Sequence, residues 1–258
     1  MERALSRAAL RVTRAEKPTR PTGRRPKSAT GGPPPPRNTA APVLAVTFDV
    51  GGTLIECWPS VGHVYSEVAA LHGYPALSPD LLNRRFKKAW KLLKDFRHTR
   101  DDWAALVDAT FGNLVQPPPS ASFFPELFNR FCDPSAWHVF EDVVPVLSSL
   151  KSRGITLGIV SNWDERLRPL LRRLNLDLYF DTIVVSCETG AHKPSPAIFE
   201  SACAALRSAP ANTLHVGDSF EMDVTGARAA GLQARWLRRQ QARVSRDSIT
   251  TLRTLDKL

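Results

Sequence analysis

Val43 to Phe48 is a nearly uninterrupted apolar run that stops abruptly at Asp49, Gly51 and Gly52. An apolar run this short reads as a strand covered on both faces, and glycines directly after it mark a tight loop. The same pattern returns at Ile155 to Val160 before Ser161 and Asn162, at Thr182 to Ser186, at Thr213 to Val216 before Gly217 and Asp218, and at Gln233 to Leu237. Between these runs, Val143 to Ser152, Glu165 to Leu174, Pro196 to Leu206 and Glu221 to Ala230 read as helices. Strand alternating with helix predicts an α/β fold built on a doubly wound, mainly parallel, Rossmann-like sheet. Ligands in such sheets bind beyond the carboxyl ends of the strands, so Asp49, Ser161, the segment around Lys193 and Asp218 are expected at one site.

Residues 58–140 interrupt the alternation, and no strand is expected in them. Val61 to Leu71, Ser78 to Phe96, Asp101 to Leu114 and Phe123 to Phe131 read as helices. The second of these opens on a Ser-Pro-Asp start signal and carries Leu82, Phe86, Ala89, Trp90 and Leu93 on one face. Its lysines and arginines lie elsewhere and read as a solvated surface. The expected organisation is an α/β core formed by 43–57 and 141–258, with 58–140 inserted as an all-helical domain.

A net charge of +10 raises nucleic acid as a partner, but residues 1–42 hold +8 of it and residues 43–258 only +2. That tail also holds eight of the 21 prolines, a composition that cannot bury enough apolar surface to offset chain entropy, so a disordered basic extension is expected. It has no aromatic residue to stack on bases, and nucleic acid is not an expected partner. Arg3, Arg7, Arg11 and Arg14 recur at helical spacing opposite Leu5, Ala8, Ala9 and Val12, so a transit peptide stays open, as do a tail for acidic surfaces and translated upstream sequence. No apolar stretch approaches the roughly 18 residues that span a bilayer, so no membrane partner is expected. Cys57, Cys132, Cys187 and Cys203 show neither zinc-site spacing nor the density of a disulfide framework. Reduced thiols imply a cytoplasmic location, with organelle targeting as the alternative. Oligomeric state has no signature here.

Four segments carry a resemblance. Phe48-Asp49-Val50-Gly51-Gly52-Thr53-Leu54, Val160-Ser161-Asn162, Lys193-Pro194-Ser195-Pro196 and Gly217-Asp218-Ser219 followed by Asp223 resemble, in order and spacing, the four motifs of the haloacid dehalogenase superfamily. The helical insertion after the first motif is similar to that superfamily's helical cap domain. The resemblance implies a hydrolase with Asp49 as nucleophile, Lys193 in the catalytic machinery, and Thr53, Ser161, Asn162 and Lys193 binding phosphate. It also implies Mg²⁺ held by Asp49, the backbone carbonyl of Gly51 and Asp218, with Asp223 acting through water or hydrogen bonds. The expected substrate is a small phosphorylated molecule.

The residues themselves support that chemistry. A carboxylate at the end of a buried strand, in a loop whose glycines let amides approach an anion, can attack phosphorus or carbon to form a covalent intermediate. Such an attack brings two anions together and needs donors and positive charge, here the Ser161 hydroxyl, the Asn162 amide and the Lys193 ammonium. Asp218 and Asp223 add the oxygen ligands that Mg²⁺ prefers, although Asp223 also stands where an acid would cap a helix. Gly51 departs from the family pattern, since phosphatases of the superfamily usually carry there a second Asp that protonates the leaving alcohol and then activates water. Three readings stay open: a Mg²⁺-dependent phosphatase-like hydrolase acting through an aspartyl-phosphate, a dehalogenase of 2-halo acids, and a pseudoenzyme that binds Mg²⁺ and phosphate. His63, Glu56 and His192 stand near enough in the sequence to substitute for the missing acid.

Overall fold

The computed structural model describes residues 41–93, 95–239 and 251–258. All but the last two residues of the expected basic extension lie outside them. Strand β1 (Ala45–Phe48) is buried at every residue and leads through the Asp49 loop into β2 (Ile55–Cys57). Four helices follow: α1 (Val61–Leu71), α2 (Pro79–Leu92), α3 (Arg100–Phe111) and α4 (Phe124–Arg130). The chain returns through β3 (Trp137–Val139) to α5 (Val143–Ser152), β4 (Thr156–Ser161), α6 (Leu167–Arg173), β5 (Thr182–Val185) and α7 (Ser186–Thr189). It then runs through α8 (Pro196–Leu206), β6 (Thr213–Gly217), α9 (Gly226–Ala229), β7 (Gln233–Leu237) and β8 (Thr251–Leu252).

The main sheet has the order β5-β4-β1-β6-β7-β8, and every pairing in it is parallel. The five expected strands are β1, β4, β5, β6 and β7, with β8 added at the edge. Both faces are covered, as continuous apolar strands require. Val46, Phe48, Leu157 and Ile159 pack with Leu147 of α5 and Leu170 of α6 on one face, while Val160, Val184 and Ala234 pack with Phe199 of α8 and Ala227 of α9 on the other. From β1 the chain builds outward through β4 and β5 on one side, then crosses back to place β6 and β7 on the other, so a crevice opens where the strand order reverses.

The helices between β2 and β3 enclose a cluster of their own around Tyr65, Leu82, Phe111, Phe123 and Leu127. Local signals start them: Ser78 caps α2 with Pro79 in its first turn, and Thr99 and Asp102 form a capping box at α3. Among the described residues no helix is long and apolar enough to cross a membrane.

The structure corrects the sequence reading in three places. Residues 58–140 do contain a strand: β3 pairs antiparallel with β2, placing Ile55 opposite Val139 and Cys57 opposite Trp137. Three residues are too few to show a period of two. The helix expected to reach Phe96 ends at Leu92, with Leu93 already extended. Turning there packs the Phe96 ring against Trp90 and Trp103, at centroid distances of 5.1 and 4.9 Å. Asp95 and His98 in that loop adopt left-handed backbone, at φ 57° and 63°. Finally, the helix expected over Glu221 to Ala230 begins as a π-helical turn, Phe220–Thr225, before α9. Asp223 lies in that wide turn, its carboxylate accepting from the Ser219 amide at 2.8 Å, and such turns recur at functional sites.

Candidate active site

Asp49 follows β1 directly, and its amide still bonds the Val216 carbonyl of β6 at 2.9 Å, so the sheet itself fixes where its side chain starts. One carboxylate oxygen, Oδ1, accepts from the Ser161 hydroxyl at 3.2 Å and from Lys193 Nζ at 2.6 Å. Lys193 Nζ also donates to Asp223 Oδ1 at 2.6 Å. The ammonium is 4% exposed in its side chain and lies between two carboxylates, an ion-pair arrangement that stands only when each charge is answered. Burial works to discharge it, but Asp223 and Asp49 prevail and raise its pKa above the usual lysine range.

Asn162 fixes the lysine through the backbone. Its side chain donates to the Lys193 carbonyl at 3.0 Å and accepts from the Lys193 amide at 2.7 Å. The loop holding Lys193 is thereby tied to the end of β4. Behind Asp223 lies a buried relay that sequence reasoning missed. His215 Nε2 stands 3.2 Å from Asp223 Oδ1, and His215 Nδ1 stands 2.9 Å from the Thr47 hydroxyl. Only the alternation of β6 could have pointed to it, since His215 faces the same way as residue 217. Burial opposes ionisation of Asp223, yet the Lys193 charge and the His215 bond outweigh it and hold its carboxyl below the usual range.

Asp49, Asp218 and Asp223 each offer a carboxylate oxygen, all within 4.8 Å of one another. Among the described residues no other residue donates a hydrogen bond to the Asp218 carboxylate, although its carbonyl accepts from Trp236 Nε1 at 2.9 Å. Desolvation at the cavity wall, then the charges of Asp49 and Asp223, push its carboxyl up to about 7. A site with three crowded carboxylates and one ammonium lacks positive charge, and an oxygen-seeking cation fits that deficit. Asp49 is raised as well, by burial first, with Lys193 opposing. Gly52 makes the crowding possible: at φ 74°, a Cβ there would stand 2.4 Å from Asp218 Oδ2.

The remaining expected residues divide. Gly51 lines the cavity at ordinary backbone angles, and the space a side chain would enter there is met by Trp163, whose ring carbon Cζ3 lies 3.3 Å from the Cβ position. Thr53 is fully buried, absent from the cavity lining, and its hydroxyl has no partner among the described residues. Of the three proposed substitutes for an acid, His192 lines the cavity, while Glu56 and His63 do not; His63 bonds the Ser60 hydroxyl at 2.7 Å instead.

The cavity that begins at these carboxylates encloses about 990 Å³, and ten of its lining side chains are aromatic. Sequence reading missed this chamber because its rings come from four helices, strand β3 and three loops. Arg166 joins its walls: it forks onto the buried Asp164 at 2.8 and 2.5 Å, donates to the Phe128 carbonyl at 2.9 Å, and lies 3.5 Å from the Phe128 ring centroid. His98 reaches the same cavity from the left-handed loop before α3, and burial drives its pKa down to about 4, leaving it neutral.

Comparison with known proteins agrees with this geometry. Residues 43–231 match the family described as haloacid dehalogenase-like hydrolase. Haloacid dehalogenase-like hydrolase domain-containing protein 3 of Danio rerio is 32% identical over 231 residues, covering 84% of this chain and 95% of that protein. The glyceraldehyde 3-phosphate phosphatase of Methanothermobacter thermautotrophicus is 33% identical over 116 residues, 43% of this chain and 49% of that one. The crystal structure of a phosphatase of the same superfamily from Thermococcus onnurineus superposes with a TM-score of 0.59 at 28% identity, covering 82% of this chain and 94% of that one. With nearly three quarters of its length matched, and the four strand-end segments meeting around Lys193, the chain belongs to the haloacid dehalogenase-like hydrolases.

Proposed function

We propose that the protein hydrolyses small phosphate monoesters by way of Asp49, with Mg²⁺ as cofactor and the helices α1 to α4 serving as a cap over the site. The observation that carries this reading is Lys193, held 2.6 Å from both Asp49 and Asp223 beside the third clustered carboxylate, Asp218. The phosphatase named among the relatives supports the substrate class.

In this reading Oδ2 of Asp49, the oxygen that Lys193 and Ser161 leave unengaged, attacks phosphorus in line with the bond to the leaving oxygen. That bond breaks, its electron pair leaves with the departing oxygen, and the phosphoryl group is held as an acyl phosphate on Asp49. Water then attacks phosphorus, releases inorganic phosphate and regenerates the carboxylate. Lys193 and the Ser161 hydroxyl hold Oδ1 throughout, which orients Oδ2 and spreads the charge that builds as the two anions meet. His215 and the Ser219 amide hold Asp223, which in turn holds Lys193. Mg²⁺, bound through Asp49, the Gly51 carbonyl and Asp218, would supply the further positive charge that a phosphoryl dianion requires. The crowding of Asp218 against Asp49 and Asp223 favours this reading over a metal-free dehalogenase.

The test is turnover of 4-nitrophenyl phosphate with Mg²⁺, with chelator, and in Asp49→Asn. Loss by a factor on the order of 10³ or more in Asp49→Asn is expected, with the fold retained because Asn still accepts from Lys193. Turnover like wild type in that variant would remove Asp49 from the mechanism.

A further inference from the structure

The wall beside the nucleophile loop is an indole, and it begins an unbroken series of ring contacts. Trp163, 3.3 Å from the Cβ position of Gly51, lies against Trp137 with centroids 5.3 Å apart. Trp137 meets Phe131 at 6.0 Å, and Phe131 meets Tyr65 at 6.0 Å. Tyr65 meets Phe86 at 6.1 Å, and Phe86 stacks on Trp90 at 5.9 Å, where the series reaches the rim. All six rings line the one cavity that holds Asp49 and Lys193.

Two independent features therefore describe what is attached to the phosphoryl group. On the Gly51 side no carboxyl stands ready to protonate a departing oxygen, so a leaving group that is stable as an anion is favoured over an alkoxide. The chamber beyond offers ring faces and edges, which reward a flat apolar body more than a chain bearing hydroxyls. Resting on the hydrolase reading above, we propose that the substrate is a phosphate monoester of an aromatic alcohol, its ring bound along the wall that starts at Trp163. Hydrolysis then breaks the bond between phosphorus and the aryl oxygen, the electron pair leaves as a phenolate, and the proton that finally neutralises it comes from the water consumed in the second step.

The decisive comparison is 2-naphthyl phosphate against phenyl phosphate, because the two phenols are of nearly equal acidity and differ in ring area. Acetyl phosphate, more reactive but without a ring, is run beside them. A site that sorts substrates by reactivity alone turns over acetyl phosphate best and treats the two aryl esters alike. The proposal expects kcat/KM for naphthyl to exceed phenyl by about tenfold, the discrimination a few extra buried carbons give. It further expects Trp163→Leu to lower that ratio about fivefold and Trp163→Phe to restore most of it. Trp90→Leu, at a ring 42% exposed and so a slight risk to folding, should lower the ratio about twofold. A ratio near one in wild type, or a ratio unmoved in both folded Leu variants, would overturn the proposal. Should none of the three phosphates turn over with Mg²⁺, the hydrolase reading falls, and binding decides the pocket alone through quenching of tryptophan fluorescence. Tighter binding of naphthyl than phenyl phosphate, weakened in Trp90→Leu, sustains the aromatic site; equal binding ends it.

Discussion

The two ends of the cavity hold their residues by different means. At the strand ends the charged groups are held by short, directional bonds, as when Lys193 lies 2.6 Å from both Asp49 and Asp223. In the aromatic chamber, rings meet at centroid distances of 4.8 to 6.1 Å; Trp137 Nε1 donates to the Phe131 carbonyl at 3.0 Å, but two other polar ring atoms, His98 Nδ1 and Trp103 Nε1, are buried without partners among the described residues. Directional bonds locate atoms closely, whereas ring packing fixes volume and leaves orientation adaptable. An end that performs one reaction step and an end that accommodates one class of organic body are suited to these two kinds of construction.

The sharpest way to break the comparison is to remove a charge from each end. Lys193→Met strands two carboxylates that are now answered by one ammonium, and a loss of about 3 kcal/mol or more in stability is expected together with loss of turnover. Arg166→Met strands Asp164, which is 1% exposed, and a loss of similar or slightly smaller size is expected because Phe128 can still pack on the methionine. Mg²⁺ separates the two. Adding it in millimolar amounts should recover part of the melting temperature in Lys193→Met, where a cation can answer Asp49 and Asp223, and none in Arg166→Met. Thermal melts with and without the ion check this; equal recovery in both variants would show that Mg²⁺ binds elsewhere.

The same contrast explains how much could be read from sequence. Asp49, Ser161 and Asp218 were legible because apolar strands are short, end sharply, and project whatever follows them into one crevice, whereas Lys193, which α7 separates from β5, was legible through the ordered motifs. The π-turn at Asp223 was not, because its wide geometry answers to Lys193, thirty residues away, a partner that no local window contains. The chamber was least legible. Phe86, Trp90 and Trp103 fit the apolar face of any amphipathic helix, and nothing in a helical period distinguishes a ring that seals a core from one that lines a cavity. Even the end of α2 at Leu92 follows from where Phe96 finds its neighbours, without a glycine or proline to announce it. Gly51 was visible as a departure, but Trp163, the residue that takes up the space beside it, stood out only once the fold brought the two loops together.

A smaller effect tests the charge balance at the strand ends. Asp218, with its carboxyl raised to about 7, binds its proton more tightly folded than unfolded. Its contribution to stability is therefore fully present below about pH 4 and is lost as pH rises through about 7. Asp49, raised by burial, titrates in the same direction, while Asp223, lowered, contributes stability above about pH 4 that is lost only in stronger acid. Between pH 5.5 and 8 the metal-free protein should lose stability, by about 1 kcal/mol or less because more than a third of Asp218 is open to screening solvent. Mg²⁺ should raise the melting temperature more at pH 8 than at pH 5.5, since the ion needs the ionised carboxylates. The opposite order would contradict the placement of the cation.

The smallest effect lies where the two ends meet. Gly51 has an ordinary backbone conformation, so Gly51→Asp carries no penalty from φ, and the barrier is Trp163, 3.3 Å from the new Cβ. The indole must yield a few tenths of an ångström while packed on Trp137, which costs about 1 kcal/mol. An acid added in this way should point poorly, and propyl phosphate, whose alkoxide needs a proton, should turn over within about threefold of wild type. Gly51→Asp combined with Trp163→Leu frees the space, and a gain of about tenfold on propyl phosphate is expected, with the preference for naphthyl over phenyl lost in the same protein. If Gly51→Asp alone gives the full gain, Trp163 does not bar an acid and serves the ring pocket only. If neither protein gains while both remain folded and bind Mg²⁺, protonation of the leaving group does not limit the rate, and the indole beside Gly51 was selected for the substrate's ring rather than as a consequence of losing the acid.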